Sequence, residues 1–305
     1  MKISLLSFTL AQMALVSCAT KSSTAEVAGL KDLEAKELWQ VTEGIENPES
    51  VLFDSKTDSI YVSNVAGQAT AKDGNGWISK LDEDGKVVAP KWISGLNAPK
   101  GLAVSHGVLW IADIDTLLGA SLSDGKIIHK FPISGAKFLN DVAVDDDGNV
   151  FVSDMFDQKI YKTAYKSKEF SAPKVFLEGE SNLRGPNGLT FKDEKLVVAQ
   201  WGIGIKDDFS TNEPGNVVSF KNDKAPSNLI TKGLGNIDGI EVYKGGFLYS
   251  DFIKGDVGVI TKKGEAKVLL NLGSGAADIG LQKDKNVLLV PHMNKNTITA
   301  YKLSE

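Results

Sequence analysis

Short β-rich runs, in which apolar and β-branched residues alternate with polar ones, are cut throughout this chain by Gly, Asp, Asn and Lys turns. A period of two bounded by turn signals predicts strands, and the globular part shows no convincing amphipathic helix. Six copies of one unit can be aligned: "NPESVLFDSKTDSIYVSN" (47–64), "APKGLAVSHGVLWIAD" (98–113), "FLNDVAVDDDGNVFVSD" (138–154), "GPNGLTFKDEKLVVAQ" (185–200), "NIDGIEVYKGGFLYSD" (236–251) and "GAADIGLQKDKNVLLVP" (275–291). Each predicts a loop, a strand, a turn and a second strand ending in a small or polar residue. The copies recur every 40 to 51 residues or so, and the first five are each followed by a third and a fourth strand. Four strands per unit at this period predict an all-β six-bladed β-propeller over residues 35–305. A β-sandwich or a lipocalin-like barrel is the alternative, but neither accounts for six phased copies.

The last copy is one strand short, because the chain ends after "NTITAYKLSE". At the other end "KELWQVTEGIENP" (36–48) has the form of the fourth strands "PSNLITKGLGNID" and "EAKVLLNLGSGAA". The N-terminal strand is therefore expected to complete the sixth blade beside "TITAYKL", which also removes the sheet edges an open array would expose.

Asn-Gly is a strong hairpin signal, yet in "RGPNGLTF" it follows a polar loop and precedes a strand. In a propeller the first strand of each blade lines the central channel, so residues at its threshold gather at one mouth. Around the ring these are Glu49, Lys100, Asn140, Asn187, Asp238 and then Ala277 or Asp278. Two carboxylates and two amide carbonyls from four blades supply hard oxygen ligands and a charge of −2, which suits calcium completed by water. Zinc would call for His or Cys; none of the three histidines, His106, His129 and His292, is at a ring position. "NG" and "DG" are common turn formers, so the weight lies in the phase of the four donors. Lys100 is expected to pair with a nearby carboxylate or to contact an anionic substrate group. Asp141 and Asp278 either support the ring from behind or are turn acids. His292 is read as a surface turn residue. The insert "AQWGIGIKDDFSTNEPG" (199–215) is long enough to wall a pocket, with Trp201 and Phe209 either lining it or packing between blades.

The N-terminus changes the setting. Met1-Lys2 and the apolar run "ISLLSFTLAQMALV" are too short to span a bilayer, and "LVSC" ends in Cys18, the single cysteine of the chain. This predicts a signal peptide over 1–17, either secretory or of the kind described next, and excludes an intrachain disulfide. The segment resembles the lipobox of bacterial lipoproteins, which implies lipidation at Cys18, a tether over 18–34 and membrane contact through lipid alone. By the same resemblance Ala19 implies the periplasmic face of the outer membrane. Without Lys2 the chain has 33 basic and 39 acidic side chains, a net charge of −6 that speaks against nucleic acid. A monomer acting on a small molecule is expected.

"PESVLFD", "FLNDVAVDDDGNVFVSDM", "GPNGLTF" and "NIDGIEV" resemble the senescence-marker-protein/gluconolactonase family, relatives of regucalcin, of the squid-type diisopropyl fluorophosphatase and of the paraoxonases. The resemblance implies a divalent metal, usually calcium, held by Glu49, Asn140, Asn187 and Asp238, and hydrolysis of a lactone, ester or organophosphate with Asp238 as general base or nucleophile. Sugar lactonases of the family have "RFND" where this chain has "FLND", so Phe138 replaces a substrate-holding arginine. Two functions follow as expectations: a calcium-dependent hydrolase, or a non-catalytic envelope propeller that binds a ligand or protein around a structural metal.

Overall fold

The computed structural model describes residues 30, 32–221, 226 and 228–305. The expected signal peptide, Cys18 and residues 19–29 lie outside the described residues. Among the described residues no helix is long and apolar enough to cross a membrane, and the helix Glu180–Leu183 is a single turn.

Six antiparallel sheets follow one another, each ordered from the inner strand outwards. Blade one consists of Pro48–Asp54, Ser59–Asn64, Gly76–Asp82 and Val87–Leu96. The inner strands of the next five blades are Pro99–Ser105, Leu139–Val144, Pro186–Lys192, Ile237–Tyr243 and Gly280–Gln282. The sixth blade closes as expected: Glu34–Val41 is its outermost strand and pairs with Thr297–Ser304. Inner strands of the first and last blades also meet, through a parallel bridge between Ser50 and Asp278. Of the stretch expected to be tether, Leu30 and Leu33 are buried against Tyr243 and Leu248, at the end of blade five opposite to Asp238.

The core is a ring of six apolar clusters, one at each interface between neighbouring blades. The alternation read in the sequence explains it: each sheet is apolar on both faces, and each face packs on the next blade. Leu109, Val152, Val198, Leu248 and Leu288 from the second strands are completely buried; burial of each such side chain stabilises by about 1.5–3 kcal/mol. Two further clusters lie at the channel mouth, and one of them gathers Phe138, Met155 and Trp201 with Phe156, Phe209 and Phe252.

Candidate metal centre at the channel mouth

Each ring residue is the second residue of its inner strand, not the residue before it: Glu49, Lys100, Asn140, Asn187 and Asp238 all lie inside the ladder. There the register slips. In blade three Leu139 pairs with Asp154 and Val142 with Val152, so that Asn140 and Asp141 stand against Ser153 alone. The same slip occurs in blades one, two, four and five. A bulge of this kind inserts one residue into a strand and re-aims its side chain, which here turns the ring residues into the channel mouth. Asn187-Gly188 therefore makes no hairpin turn. Gly188 is needed because the next blade is close: a Cβ there would be 2.3 Å from the Asp238 carbonyl oxygen. Gly101 and Gly239 likewise face Asp141 and Ile279, at 2.4 Å, across the gaps between blades two and three and between blades five and six.

The sixth ring position is Ala277. Ser153 Oγ accepts from Asp141 N and donates to the Asn187 carbonyl in the next blade. Ser250 Oγ likewise accepts from Gly239 N and donates to the carbonyl of Ala277. Asp278 is thus the counterpart of Asp141, one step past the ring. Both acids sit beneath it, around a small cavity of about 40 Å³ shared with Ser50 and Glu241. Asp141 accepts from the backbone N–H groups of Val142 and Leu189, and Asp278 from Ser50 Oγ. They are buried supports of the inner strands rather than turn acids. Burial pushes the Asp278 carboxyl up to about 7, and burial plus Asp278 pushes Glu241 up to about 8. Glu241 was not singled out in the sequence, although it stands three residues past Asp238, where a bulge returns the strand to the channel.

Glu49, Asn140, Asn187 and Asp238 line one cavity of about 110 Å³, together with Lys100. All five are buried. Each of the four oxygen-bearing residues has a buried side-chain oxygen with no donor: Glu49 Oε2, Asn140 Oδ1, Asn187 Oδ1 and Asp238 Oδ1. Burial, then the Asp238 and Asp278 carboxylates, holds Glu49 well above the usual carboxyl range. Asp238 is raised by burial and by Asp278, with a hydrogen bond from Asn187 acting the other way. Two ionised carboxylates in this dry space would cost several kcal/mol each without a compensating positive charge. Among the described residues no three or more His, Cys, Asp or Glu converge as a metal cage, so any ion held here draws on the amide oxygens as well.

Lys100 does not form the expected ion pair. It is only 1 % exposed, and its Nζ donates to the carbonyl oxygens of Ala69 and Ala98 at 3.0 and 2.9 Å, 4.4 Å from the centre of the Phe138 ring. Burial lowers its pKa to about 8, against the opposing pull of Glu49 and Asp113.

The walls are apolar. Phe138, Met155, Trp201, Phe209, Phe252, Met293 and Ala69 complete the lining, so Trp201 and Phe209 belong to the pocket. Phe209 rides on the insert, whose short strand Gly202–Ile203 pairs with Glu213–Phe220, and its carbonyl accepts from Trp201 Nε1 at 2.7 Å. Met155, Phe252 and Met293 went unread in the sequence, yet a signal was present. The residue after the second strand is Val65, Ile114, Met155, Trp201, Phe252 and Met293 in the six copies, apolar every time. The polar residue just before it pins the loop leading into the blade. Asp113 accepts from Asn97 and Ala98, and Asp154 from Lys137 and Phe138. His292 occupies this position and is buried, not a surface turn residue; its Nε2 lies 3.0 Å from the Leu272 carbonyl oxygen. His106 stacks on Tyr165 and His129 on Trp110, both away from the ring. A larger cleft of about 580 Å³ lies at the opposite face between blades three and four and shares no residue with the ring.

The fold and the site together define a six-bladed propeller with an oxygen-lined channel mouth under an aromatic wall. No protein-family model and no curated protein matches the chain. Solved structures do. A gluconolactonase from Xanthomonas campestris is 16% identical over 93% of this chain and 94% of its own, with a TM-score of 0.64. Virginiamycin B lyase from Staphylococcus aureus, in an inactive form with quinupristin, is 14% identical over 88% and 99%, with a TM-score of 0.54. A chain of a nidogen/laminin complex is 17% identical over 70% and 75%, with a TM-score of 0.53. The likeness is one of fold.

Proposed function

We propose that this protein is a divalent-metal-dependent hydrolase of the lactonase or esterase type, with calcium as its metal. The observation that carries the reading is the set of four buried oxygens without donors, one from each of four blades, around one cavity. The donor set fits calcium: all ligands are oxygen, the summed charge of −2 matches the ion, and water or substrate can fill the remaining positions. Glu49, Asn140, Asn187 and Asp238 would hold it. When bound, such an ion polarises a carbonyl oxygen and stabilises the charge that develops on it.

The chain's own groups do the rest. Asp238 takes the proton from the water that adds to the acyl carbon. The bond from that carbon to the ester oxygen then breaks, and the departing oxygen takes up the proton. Lys100 keeps one N–H beyond the two given to carbonyls and donates it towards the reacting group. The aromatic wall excludes bulk water and strengthens each of these interactions. Support at the level of fold comes from the gluconolactonase likeness. The nidogen likeness favours a second reading, a propeller that binds a protein, since one fold hosts both functions. Lipid attachment at Cys18, at the periplasmic face of the outer membrane, remains part of the proposal.

The test is hydrolysis of lactones and aryl esters by purified protein with calcium or EDTA. Turnover abolished by EDTA and restored by calcium supports the reading; turnover indifferent to chelation sinks it.

A further inference from the structure

We infer that the pocket takes small, apolar, uncharged ring lactones or esters and rejects polyhydroxylated ones, a substrate class that rests on the hydrolase reading. Polar groups are scarce on the pocket wall. Beside Ala69, six large side chains form the wall: Phe138, Met155, Trp201, Phe209, Phe252 and Met293. None presents a free donor or acceptor, because the Trp201 indole N–H is bound to Phe209 O.

Their backbone is spoken for as well. Met155 N bonds Phe138 O, and Phe138 N bonds Asp154. Met155 O accepts from Gln158 and Trp201 O from Asn236. The N–H groups of Trp201, Phe209, Phe252 and Met293 go to Gly185, Lys206, Asn236 and Gly275. Phe252 O accepts from Gly275 N, and Met293 O from Asn47. Every main-chain N–H and C=O of these six residues thus has a partner within the protein. Polar capacity remains on the floor, in the carboxyl and amide groups of Glu49, Asn140, Asn187 and Asp238 and in the last N–H of Lys100.

A sugar lactone carries a hydroxyl on nearly every ring carbon. Inside this wall those hydroxyls would lose water and find no partner, the situation in which a buried polar group is most costly. The size agrees: a cavity of about 110 Å³ is somewhat smaller than the roughly 150 Å³ apolar cavity known to accept benzene. A bare five- or six-membered ring is the right scale.

The test compares molecules that share a ring and differ in hydroxyls. δ-Valerolactam and D-glucono-δ-lactam, which resist hydrolysis, are titrated by calorimetry into the protein with and without calcium. δ-Valerolactone and D-glucono-δ-lactone are then compared as substrates. Binding of valerolactam at least about 100-fold tighter than gluconolactam is expected. Equal or inverted affinities, or binding of neither lactam, overturn the inference. Discrimination between the lactams with no calcium-dependent hydrolysis of either lactone removes the hydrolase reading, and the substrate class with it, and leaves only a binding preference of the pocket for apolar rings. Phe209→Ser, on the insert, and Phe138→Arg each restore a polar group to the wall and should narrow the ratio; an unchanged ratio in both overturns the assignment of specificity to this wall.

Discussion

Ser50 Oγ donates to Asp278 Oδ2 at 2.6 Å, tying the first blade to the last directly beneath the ring. The bond complements the strand exchange at the rim, where Glu34–Val41 completes the sixth sheet. One closure holds the propeller at its outer edge and the other at its channel. Ser50→Ala should therefore lower stability by about 1.5–3 kcal/mol, the range for a hydrogen bond to a charged group. Urea denaturation measures this, and an unchanged midpoint would show that the bond adds nothing to closure.

The acids under the ring set a pH dependence. Asp278 is raised from 3.8 to about 7, and Glu241 from 4.5 to about 8, both chiefly by burial. Between those values the folded protein binds more protons than the unfolded chain, so stability falls as pH rises. Metal-free protein should melt progressively lower from pH 4 to 8, and added calcium should recover most of the loss near neutrality. A melting temperature in EDTA that climbs across this window contradicts the burial of these groups.

Asp238→Asn separates stability from function. It removes one of two carboxylates held in a dry space without an ion-pair partner, so the metal-free variant should melt at or above the parent temperature. Its calcium affinity should fall at least about tenfold, since the ligand charge drops from −2 to −1, and hydrolysis should be lost. Glu49→Gln should share the loss of affinity. Calorimetry beside thermal melts decides it: a less stable variant with full calcium affinity would refute the ligand assignment.

Gly188→Ala probes the close approach of neighbouring inner strands. The added methyl would meet the Asp238 carbonyl oxygen at 2.3 Å, and backbone there has little room to yield. Overpacking of this kind costs about 1–3 kcal/mol and should also displace Asp238 and weaken calcium binding. A variant as stable as the parent, with unaltered affinity, would mean the strands are further apart than described.

The fold was legible because its determinants repeat. Phased copies such as "FLNDVAVDDDGNVFVSD" and "GPNGLTFKDEKLVVAQ" carry the blade, and Trp39 and Val41 carry the closing strand. The residues of the ring were legible for the same reason. Their exact place was not, since a bulge is a register relation between two strands and leaves no mark on one strand alone. Asp278 illustrates this: only the bonds of Ser153 and Ser250 show that Ala277 holds the ring position. Lys100 was misread because its partners are the carbonyls of Ala69 and Ala98, and backbone acceptors are invisible in a list of side chains. Met155, Phe252 and Met293 have a readable phase, but an apolar residue after a strand reads the same whether it packs in a cluster or lines a pocket.

The central claim is that Glu49, Asn140, Asn187 and Asp238 together hold one divalent cation. A crystal structure of the calcium-soaked protein, with anomalous difference density, tests it most directly. A single strong peak is expected at the channel mouth, with one oxygen of each of the four side chains at about 2.3–2.6 Å. A mouth without a peak, or an ion touching fewer than three of these residues, would contradict it.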